Sequence, residues 1–522
     1  MSRILGATSS AKGFAPPTPT TLRLAEKRGV LLSKKAQRLL DEANAIRERA
    51  KLVRAMPDAV MIDTPEFDCA WPHQRVALHF MQTLKQPSYL LADEPGVGKT
   101  LVAMLWAKHI VRAERVLVVA PNGAKLQWRD EITRYVGDAM PITIVKGTIA
   151  QQNALAQTPE GWVIGHWESL VHAARGYQKH AFDAIIADEA HYMANRDAIR
   201  TRALWKIRGA QKLALTAHPY TNSPDEIYSI LRWLYPDTYA SFWRFFEQHV
   251  AFEPKYFGGY DIQGLKRKKL FNWELSAFTL RRRRRQVYAT LPPITRVRRV
   301  VSLTTRGQRE YDRLRKELFV ELRAHKGESK ILRIPSVLAR VTRLRQYLID
   351  PGLLGAREAS VKYPEILHIL RDVQQPMVIF TMFAEAGKRL TAYLTKHKLR
   401  AALLYGGVKV ETGERHALKK RFLHGELDAL IVTVKAGGVA LNLGKYGLMA
   451  MLDLPWHPRD YEQSEGRVDR PEEGTGRMVP ATSYRIIVEH SYEEKLEQKK
   501  LRGKHAMFAE GFTAEDLEAL FG

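Results

Sequence analysis

The run Leu90-Leu91-Ala92-Asp93-Glu94-Pro95-Gly96-Val97-Gly98-Lys99-Thr100 narrows the folds open to this chain more than any other stretch. A short apolar segment, Tyr89 to Ala92, breaks into a turn holding two glycines, and Gly98-Lys99-Thr100 opens an amphipathic segment from Leu101 to Val111. That order predicts a strand, a phosphate-cradling loop and a helix. Small residues let consecutive backbone N–H groups curl around an anion, and the helix N-terminus adds its partial positive charge. Lys99 is placed to reach the β- and γ-phosphates of a nucleotide, and the Thr100 hydroxyl to ligate Mg²⁺. The expected binding residues are therefore Asp93, Glu94, Pro95, Gly96, Val97, Gly98, Lys99 and Thr100. The usual pattern begins with glycine, whereas this one begins with Asp93.

Beyond the loop, apolar strands alternate with helical stretches. Val116 to Ala120, Ile142 to Val145, Trp162 to Ile164, Ala184 to Ala187 and Leu213 to Leu215 read as buried strands. Such strands with helical crossovers predict a doubly wound parallel sheet, whose ligands sit at the carboxyl ends of its strands. Asp188-Glu189-Ala190-His191 and Thr216-Ala217-His218-Pro219 both fall at such ends. Adjacent carboxylates after an apolar strand are costly unless something requires them. Asp188 is expected in a Mg²⁺ shell and Glu189 as the base or orienter of an attacking water. Upstream, Gln74 in Pro72-His73-Gln74-Arg75 carries a carboxamide able to donate to and accept from adenine at once.

The 522 residues allow about three domains. The chain is 45% hydrophobic and 26% charged, with no apolar run long enough to span a bilayer, so no membrane partner is expected. Eighty-two Lys and Arg against 56 Asp and Glu leave a formal charge of +26, which favours a polyanionic partner, most simply nucleic acid. The single cysteine, Cys69, excludes an internal disulfide and any multi-cysteine zinc site, and it suits a reducing compartment. Met1 to about Thr21 is rich in Pro, Ser and Thr and is expected to be unstructured. Leu32 to Met56 has helical spacing with basic residues between, suited either to the following domain or to a phosphate backbone. From Ser223 the pattern turns to aromatic-rich helices and then to a basic stretch. Between Leu265 and Arg299 stand twelve basic residues and one acid, Glu274. Lys266, Arg267, Lys268, Lys269, Arg281, Arg282 and Arg283 are the expected phosphate-backbone contacts there, a solvated face or a nuclear-import-like patch being the alternative. A second α/β unit begins near Val361 without a phosphate loop of its own. It carries Arg467 and Arg470, three apart on one expected helix face and able to meet a common anion. The expected divisions are 1–60, a tail and basic helix; 61–222, a nucleotide-binding lobe; 223–360, a helical insertion and linker; 361–490, a second lobe; and 491–522, a terminal helix and tail.

In this order the motifs resemble the Swi/Snf-type branch of superfamily 2 helicases, from Trp71 to about Leu501. Gln74, the loop from Asp93 to Thr100, Asp188-Glu189-Ala190-His191 and Leu215-Thr216-Ala217-His218-Pro219-Tyr220-Thr221-Asn222 match that family's first-lobe motifs. Leu280-Arg281-Arg282 with Leu291-Pro292-Pro293, and Leu344-Arg345-Gln346 with Asp350-Pro351, look like its inter-lobe elements. Thr433-Val434-Lys435-Ala436-Gly437-Gly438-Val439-Ala440-Leu441-Asn442-Leu443 with Asp453-Leu454-Pro455-Trp456 is the most specific block. The resemblance implies an α/β fold of two RecA-like doubly wound parallel-sheet lobes with a helical, basic insertion between them. It implies an ATP hydrolase that uses ATP and Mg²⁺ to translocate on double-stranded DNA. Lys99, Thr100, Asp188 and Glu189 would act on the nucleotide from one lobe and Arg467 and Arg470 from the other. His191 and Thr216 would couple cleft closure to the nucleic-acid face, and Thr433 would touch a backbone phosphate. Two departures stand out: Ala217-His218 where the family favours Gly-Thr, and Pro471-Glu472-Glu473 where Ile-Gly-Gln is common. The other readings are a strand-separating helicase on DNA or RNA and an ATP-gated nucleic-acid clamp or adaptor. The expected location is the cytoplasm of a bacterium or virus-infected cell, or the nucleus in a eukaryote.

Overall fold

A computed structural model describes residues 18–56, 64–137, 139–220, 223–254, 260–288, 294–324, 335–407, 414–434, 442–456, 458–470 and 479–501. The chain divides into two compact units, Met1–Tyr288 and Ala289–Gly522.

The first unit is built on strands β1 (Ser88–Leu91), β2 (Arg115–Ala120), β3 (Ile142–Ile144), β4 (Gly161–His166), β5 (Phe182–Asp188) and β6 (Gly209–Leu215). A two-stranded hairpin, β7 (Val250–Pro254) with β8 (Tyr260–Leu265), stands apart from them, and β9 (Thr279–Leu280) joins their sheet. The order is β3-β4-β2-β5-β6-β1-β9 and every pairing in it is parallel. All six residues of β2 are buried, as a strand covered on both faces requires. β6 lies between β1 and β5, and Leu215 pairs with Leu91 on one side and Asp188 on the other. The segments following Leu91, Leu215 and Asp188 therefore leave the sheet side by side.

Ahead of the sheet, a helix begins at Pro19, inside the stretch expected to be unstructured. The Thr18 hydroxyl accepts from the Thr21 N–H, and proline at the first helical position has no N–H to leave unpaired. The basic helix Lys34–Arg54 lies on its own unit. Arg47 sits over the Trp273 ring, 3.8 Å from its centroid, and Arg54 donates to the carbonyls of Ser276 and Thr279. Glu274, the one acid of the basic stretch, is buried; it accepts from the Thr20 hydroxyl at 2.6 Å and from the Tyr239 hydroxyl at 2.5 Å.

The second unit holds β10 (Thr295–Val301), β11 (Met377–Thr381), β12 (Ala401–Leu404), β13 (Ala429–Thr433), β14 (Leu448–Met451) and β15 (Thr482–Val488), in the all-parallel order β10-β15-β14-β11-β13-β12. Its strands feed two cores. Val378, Phe380, Leu430 and Val432 pack with Tyr311, Leu318, Leu344 and Tyr492, while Met377, Ile379, Ala429 and Ile431 pack with Ile366, Leu370, Leu390 and Leu394. Alternate residues of each strand enter opposite cores, which is the period-two signature of a sheet covered on both faces. The expected class, two parallel-sheet α/β lobes, is the observed one. The stretch expected as an insertion, 223–360, contributes the hairpin and β9 to the first unit and β10 to the second. Among the described residues no helix is long and apolar enough to cross a membrane.

Beneath β14 and β15, the Lys362 ammonium is fully buried. It donates to the carbonyls of Leu452 (2.8 Å) and Ile486 (3.1 Å) and to both oxygens of Glu493 (2.7 and 2.9 Å). Glu493 opens the helix Tyr492–Leu501, so this pair pins that helix to the sheet. Lys362→Met strands a buried carboxylate and is expected to destabilise the second unit by about 3–5 kcal/mol. Lys362→Met with Glu493→Leu should recover most of that loss, as urea denaturation of the single and double variants will report.

Candidate nucleotide site

The loop after β1 is held from behind. Tyr288 donates from its hydroxyl to the Gly96 carbonyl at 3.3 Å, His73 from Nε2 to the Val97 carbonyl at 3.0 Å, and Gln74 from Nε2 to the Gly98 carbonyl at 3.1 Å. Burial pushes His73 down to about 4, so the ring is neutral at physiological pH. In a trans peptide the carbonyl and the next N–H point in opposite directions, and every described peptide here is trans. Three carbonyls held on one side aim the N–H groups of Val97, Gly98 and Lys99 to the other. Gly98 has φ +79°, which favours glycine, and a Cβ there would stand 2.1 Å from the Gln74 amide nitrogen and push that side chain off the Gly98 carbonyl. The segment expected as one helix is the α-helix Lys99–Leu105 followed by a π-helical turn, Trp106–Val111.

Asp93 is 1% exposed. Its Oδ1 accepts from the Arg282 backbone N–H (2.8 Å) and Nε (3.3 Å), and its Oδ2 from Nη2 (2.6 Å). Arg282 also donates from Nη1 to the His73 carbonyl at 2.5 Å. The pairing follows from topology. β9 runs parallel beside β1, so the chain leaving Leu280 travels alongside the chain leaving Leu91, and the Glu94 N–H donates to the Arg282 carbonyl at 3.1 Å. The structure thus turns Arg282 into the loop, away from the phosphate-backbone contact expected of it. Glu94 accepts from the Arg284 backbone N–H at 2.9 Å, and Lys99 donates to the carbonyls of Asp93 (2.8 Å) and Glu94 (3.2 Å). Gln74 likewise has both amide ends on backbone, since its Oε1 accepts from the Trp71 N–H at 2.8 Å.

At the end of β5, Asp188 receives the Trp128 indole N–H on Oδ2 at 3.0 Å and the Glu189 N–H on Oδ1 at 3.0 Å, while Trp167 donates to its carbonyl at 3.1 Å. Burial and the neighbouring Glu189 charge push the Asp188 carboxyl up to about 6. Glu189 has φ +52°, a left-handed conformation that costs a side chain about 1–3 kcal/mol and that clusters at functional sites. It turns the Glu189 carboxylate toward His191, whose Nδ1 lies 3.1 Å from Glu189 Oε2 and 3.4 Å from the Thr216 hydroxyl. The histidine thereby bridges the ends of β5 and β6. Sequence pattern alone gives no direct signal for either tryptophan, for His73 or for Tyr288. The only clue was indirect: a buried carboxylate pair needs donors, and a buried indole N–H needs an acceptor.

In the second unit, Arg467 is buried in the last turn of the helix Pro458–Val468. The helix ends at Val468, so Arg470 lies beyond it and the two arginines do not share a helix face. The Arg467 carbonyl accepts from the Leu443 N–H at 2.9 Å, and Arg470 donates back to the Gly466 carbonyl. Thr433 ends β13 and is 6% exposed. The block Lys435–Leu441 and the departure at Pro471-Glu472-Glu473 lie outside the described residues. Lys266, Lys268, Lys269, Arg281 and Arg283 are exposed and Arg267 partly so, at the end of β8, along the helix Lys268–Leu275 and after β9. Among the described residues no group of three or more His, Cys, Asp or Glu could by itself hold a metal ion.

A family model described as SNF2-related domain matches residues 73–353, just over half of the chain, and one for the helicase conserved C-terminal domain matches residues 361–472. YwqA of Bacillus subtilis, provisionally named an ATP-dependent helicase/translocase, is 24% identical over 479 residues, which cover 86% of this chain and 50% of YwqA. The DNA annealing helicase and endonuclease ZRANB3 of Bos taurus is 24% identical over 73% of this chain and 35% of its own. The chain thus spans half or less of the length of these curated relatives. Among solved structures, the Sulfolobus solfataricus SWI2/SNF2 ATPase core in complex with dsDNA aligns with 86% of this chain and 93% of that one, at 21% identity and a TM-score of 0.40.

Two outcomes follow from the site's electrostatics. Arg282→Ala leaves the buried Asp93 with the backbone N–H of residue 282 but without its charge partner, and is expected to lower stability by about 3–5 kcal/mol in urea denaturation. Asp188 has its folded-state value raised from 3.8 to about 6, so ionising it costs stability as pH climbs through that window. Asp188→Asn should therefore gain stability relative to the parent between about pH 4 and 6, measured without nucleotide, and hold a constant difference above.

Proposed function

This chain belongs to the SNF2-related family, and from that premise we propose that it is a DNA-dependent ATP hydrolase that translocates on double-stranded DNA. The observation that carries the reading is the convergence of loop, carboxylates and Thr216 on the adjacent ends of β1, β6 and β5. Strands in a sheet lie about 4.8 Å apart, so β1 and β5 stand roughly 10 Å from each other. That separation suits a triphosphate lying between a cradle of N–H groups and a pair of carboxylates.

In this reading the N–H groups of Val97, Gly98 and Lys99 receive the phosphates. Lys99 exchanges the carbonyls of Asp93 and Glu94 for phosphate oxygens. Gln74 serves by holding Gly98, in place of the base-edge contact that its carboxamide suggested. Thr100 and Asp188 would hold Mg²⁺; a carboxyl raised by burial and a like neighbour is a place short of positive charge, which fits a divalent cation. When bound, Mg²⁺ neutralises charge building on the β- and γ-phosphate oxygens. Glu189 orients the attacking water and receives its proton, with His191 fixing the carboxylate and relaying its state to Thr216. Arg467 and Arg470 supply positive charge to the transferring phosphoryl group, a contribution of about 10³–10⁵ in rate in such enzymes. Thr433 and the exposed Lys266, Lys268, Lys269, Arg281 and Arg283 are assigned to the DNA backbone. One exposed cysteine, Cys69, suits work in a reducing compartment, the cytoplasm or a eukaryotic nucleus.

The test is ATP turnover with and without duplex DNA. The parent should be stimulated by DNA, and Lys99→Ala should lose roughly a hundredfold or more of that turnover while still binding DNA. Binding should weaken steeply with salt, because it rests on phosphate contacts. Equal parent rates with and without DNA would remove the motor reading. Strand displacement without triplex displacement would replace it with the strand-separating alternative.

A further inference from the structure

The strand β10 opens the second unit at the edge of its sheet, with β15 as its one neighbour there. Its arginines alternate as the pleat dictates. Arg296 and Arg298 project to one face, where Arg298 meets Glu494 and Glu497 of the terminal helix, both at 2.8 Å. Arg296 forms a two-pronged pair with Glu465, Nε to Oε1 at 2.9 Å and Nη2 to Oε2 at 2.7 Å. Glu465 is 5% exposed and sits on the helix Pro458–Val468, two residues before Arg467.

A step of two residues is about 200° around a helix, so Glu465 and Arg467 point to nearly opposite sides. The Arg296 fork grips one side of the helix, and the buried Arg467 stands on the other. The grip also sets depth. Glu465 carries a charge that the interior tolerates only while a partner reaches it, and removing that partner drives the carboxylate, and the helix turn that bears it, toward water. The far end of the same turn has little room to adjust. A Cβ on Gly444 would stand 2.5 Å from the Arg470 carbonyl, and the Arg467 carbonyl is already held by Leu443.

We infer that Arg296, acting through Glu465, is a positioning residue for Arg467 in the hydrolytic step. The inference rests on the role proposed above for Arg467. It adds a function for β10: the edge strand of the second unit braces the arginine helix of that unit. A displacement of about 1 Å at a reacting group can cost on the order of a hundredfold in rate.

A double-mutant cycle on the full chain tests it, reading kcat and KM for ATP with saturating duplex DNA. Arg296→Ala should lower kcat by roughly ten- to a hundredfold with KM for ATP nearly unchanged. In an Arg467→Ala background the same substitution should change kcat by no more than about twofold. The swap Arg296→Glu with Glu465→Arg should restore much of kcat, and it keeps the test open if Arg296→Ala folds poorly. An equal loss in both backgrounds would overturn the inference, as would a swap that melts like the parent yet stays slow. If Arg467→Ala itself leaves kcat intact, the arginine's proposed catalytic role fails first and separately, and this inference falls with it.

Discussion

A carboxylate removed from water at the start of the phosphate loop sets the terms for the first unit. Asp93 occupies the position where a glycine is usual, and its charge is compensated by Arg282, 189 residues later. That requirement explains β9, a strand of two residues whose register delivers Arg282 beside Asp93. It also explains why the helix Lys34–Arg54 matters to the loop: Arg54 holds the carbonyls of Ser276 and Thr279, on either side of the turn that enters β9. Loop posture therefore depends on a chain of contacts running from the N-terminal helix through β9 to Asp93. Each link is either charge-assisted or part of the sheet.

The acidic end of β5 obeys a different economy. Two adjacent carboxylates repel one another, and one sits on a left-handed residue. Two indole N–H groups and a histidine hold this arrangement in place. Such a site is strained and charged in itself, and under the proposed reading a cation held there would relieve repulsion that is already present. The large surrounding core sustains this unfavourable local state. Trp106, Trp128, Trp162 and Trp167 are all fully buried in that core.

Arginine plays two parts that composition cannot separate. The surplus of +26 requires that many cations face solvent or a polyanion, and the exposed residues of 266–283 answer to that. Yet Arg115 donates to the carbonyls of Ala156, Thr158, His180 and Ala181, and Arg345 lies buried against Asp453 and the Leu454 carbonyl. The planar guanidinium suits both tasks, since its fork matches a phosphate and a pair of carbonyls equally well.

From sequence alone, the continuous apolar runs pointed to buried parallel strands, and the glycine loop and the acidic strand end pointed to the strand ends on which the proposed nucleotide site is built. These are local signals: burial pattern, turn chemistry and charge within a few residues. The sequence also pointed to two α/β portions, but not to the division of residues 223–360 between them after Tyr288. Tertiary structure alone decided the partners. That Arg282 belongs to Asp93, that Gln74 holds Gly98, that Trp128 caps Asp188 and that Arg296 grips Glu465 are pairings across 24 to 189 residues, invisible to any window of sequence. Arg282 and Arg281 are neighbours of identical chemistry, and one turns inward while the other stays exposed because a parallel strand has room for one of them beside the buried charge.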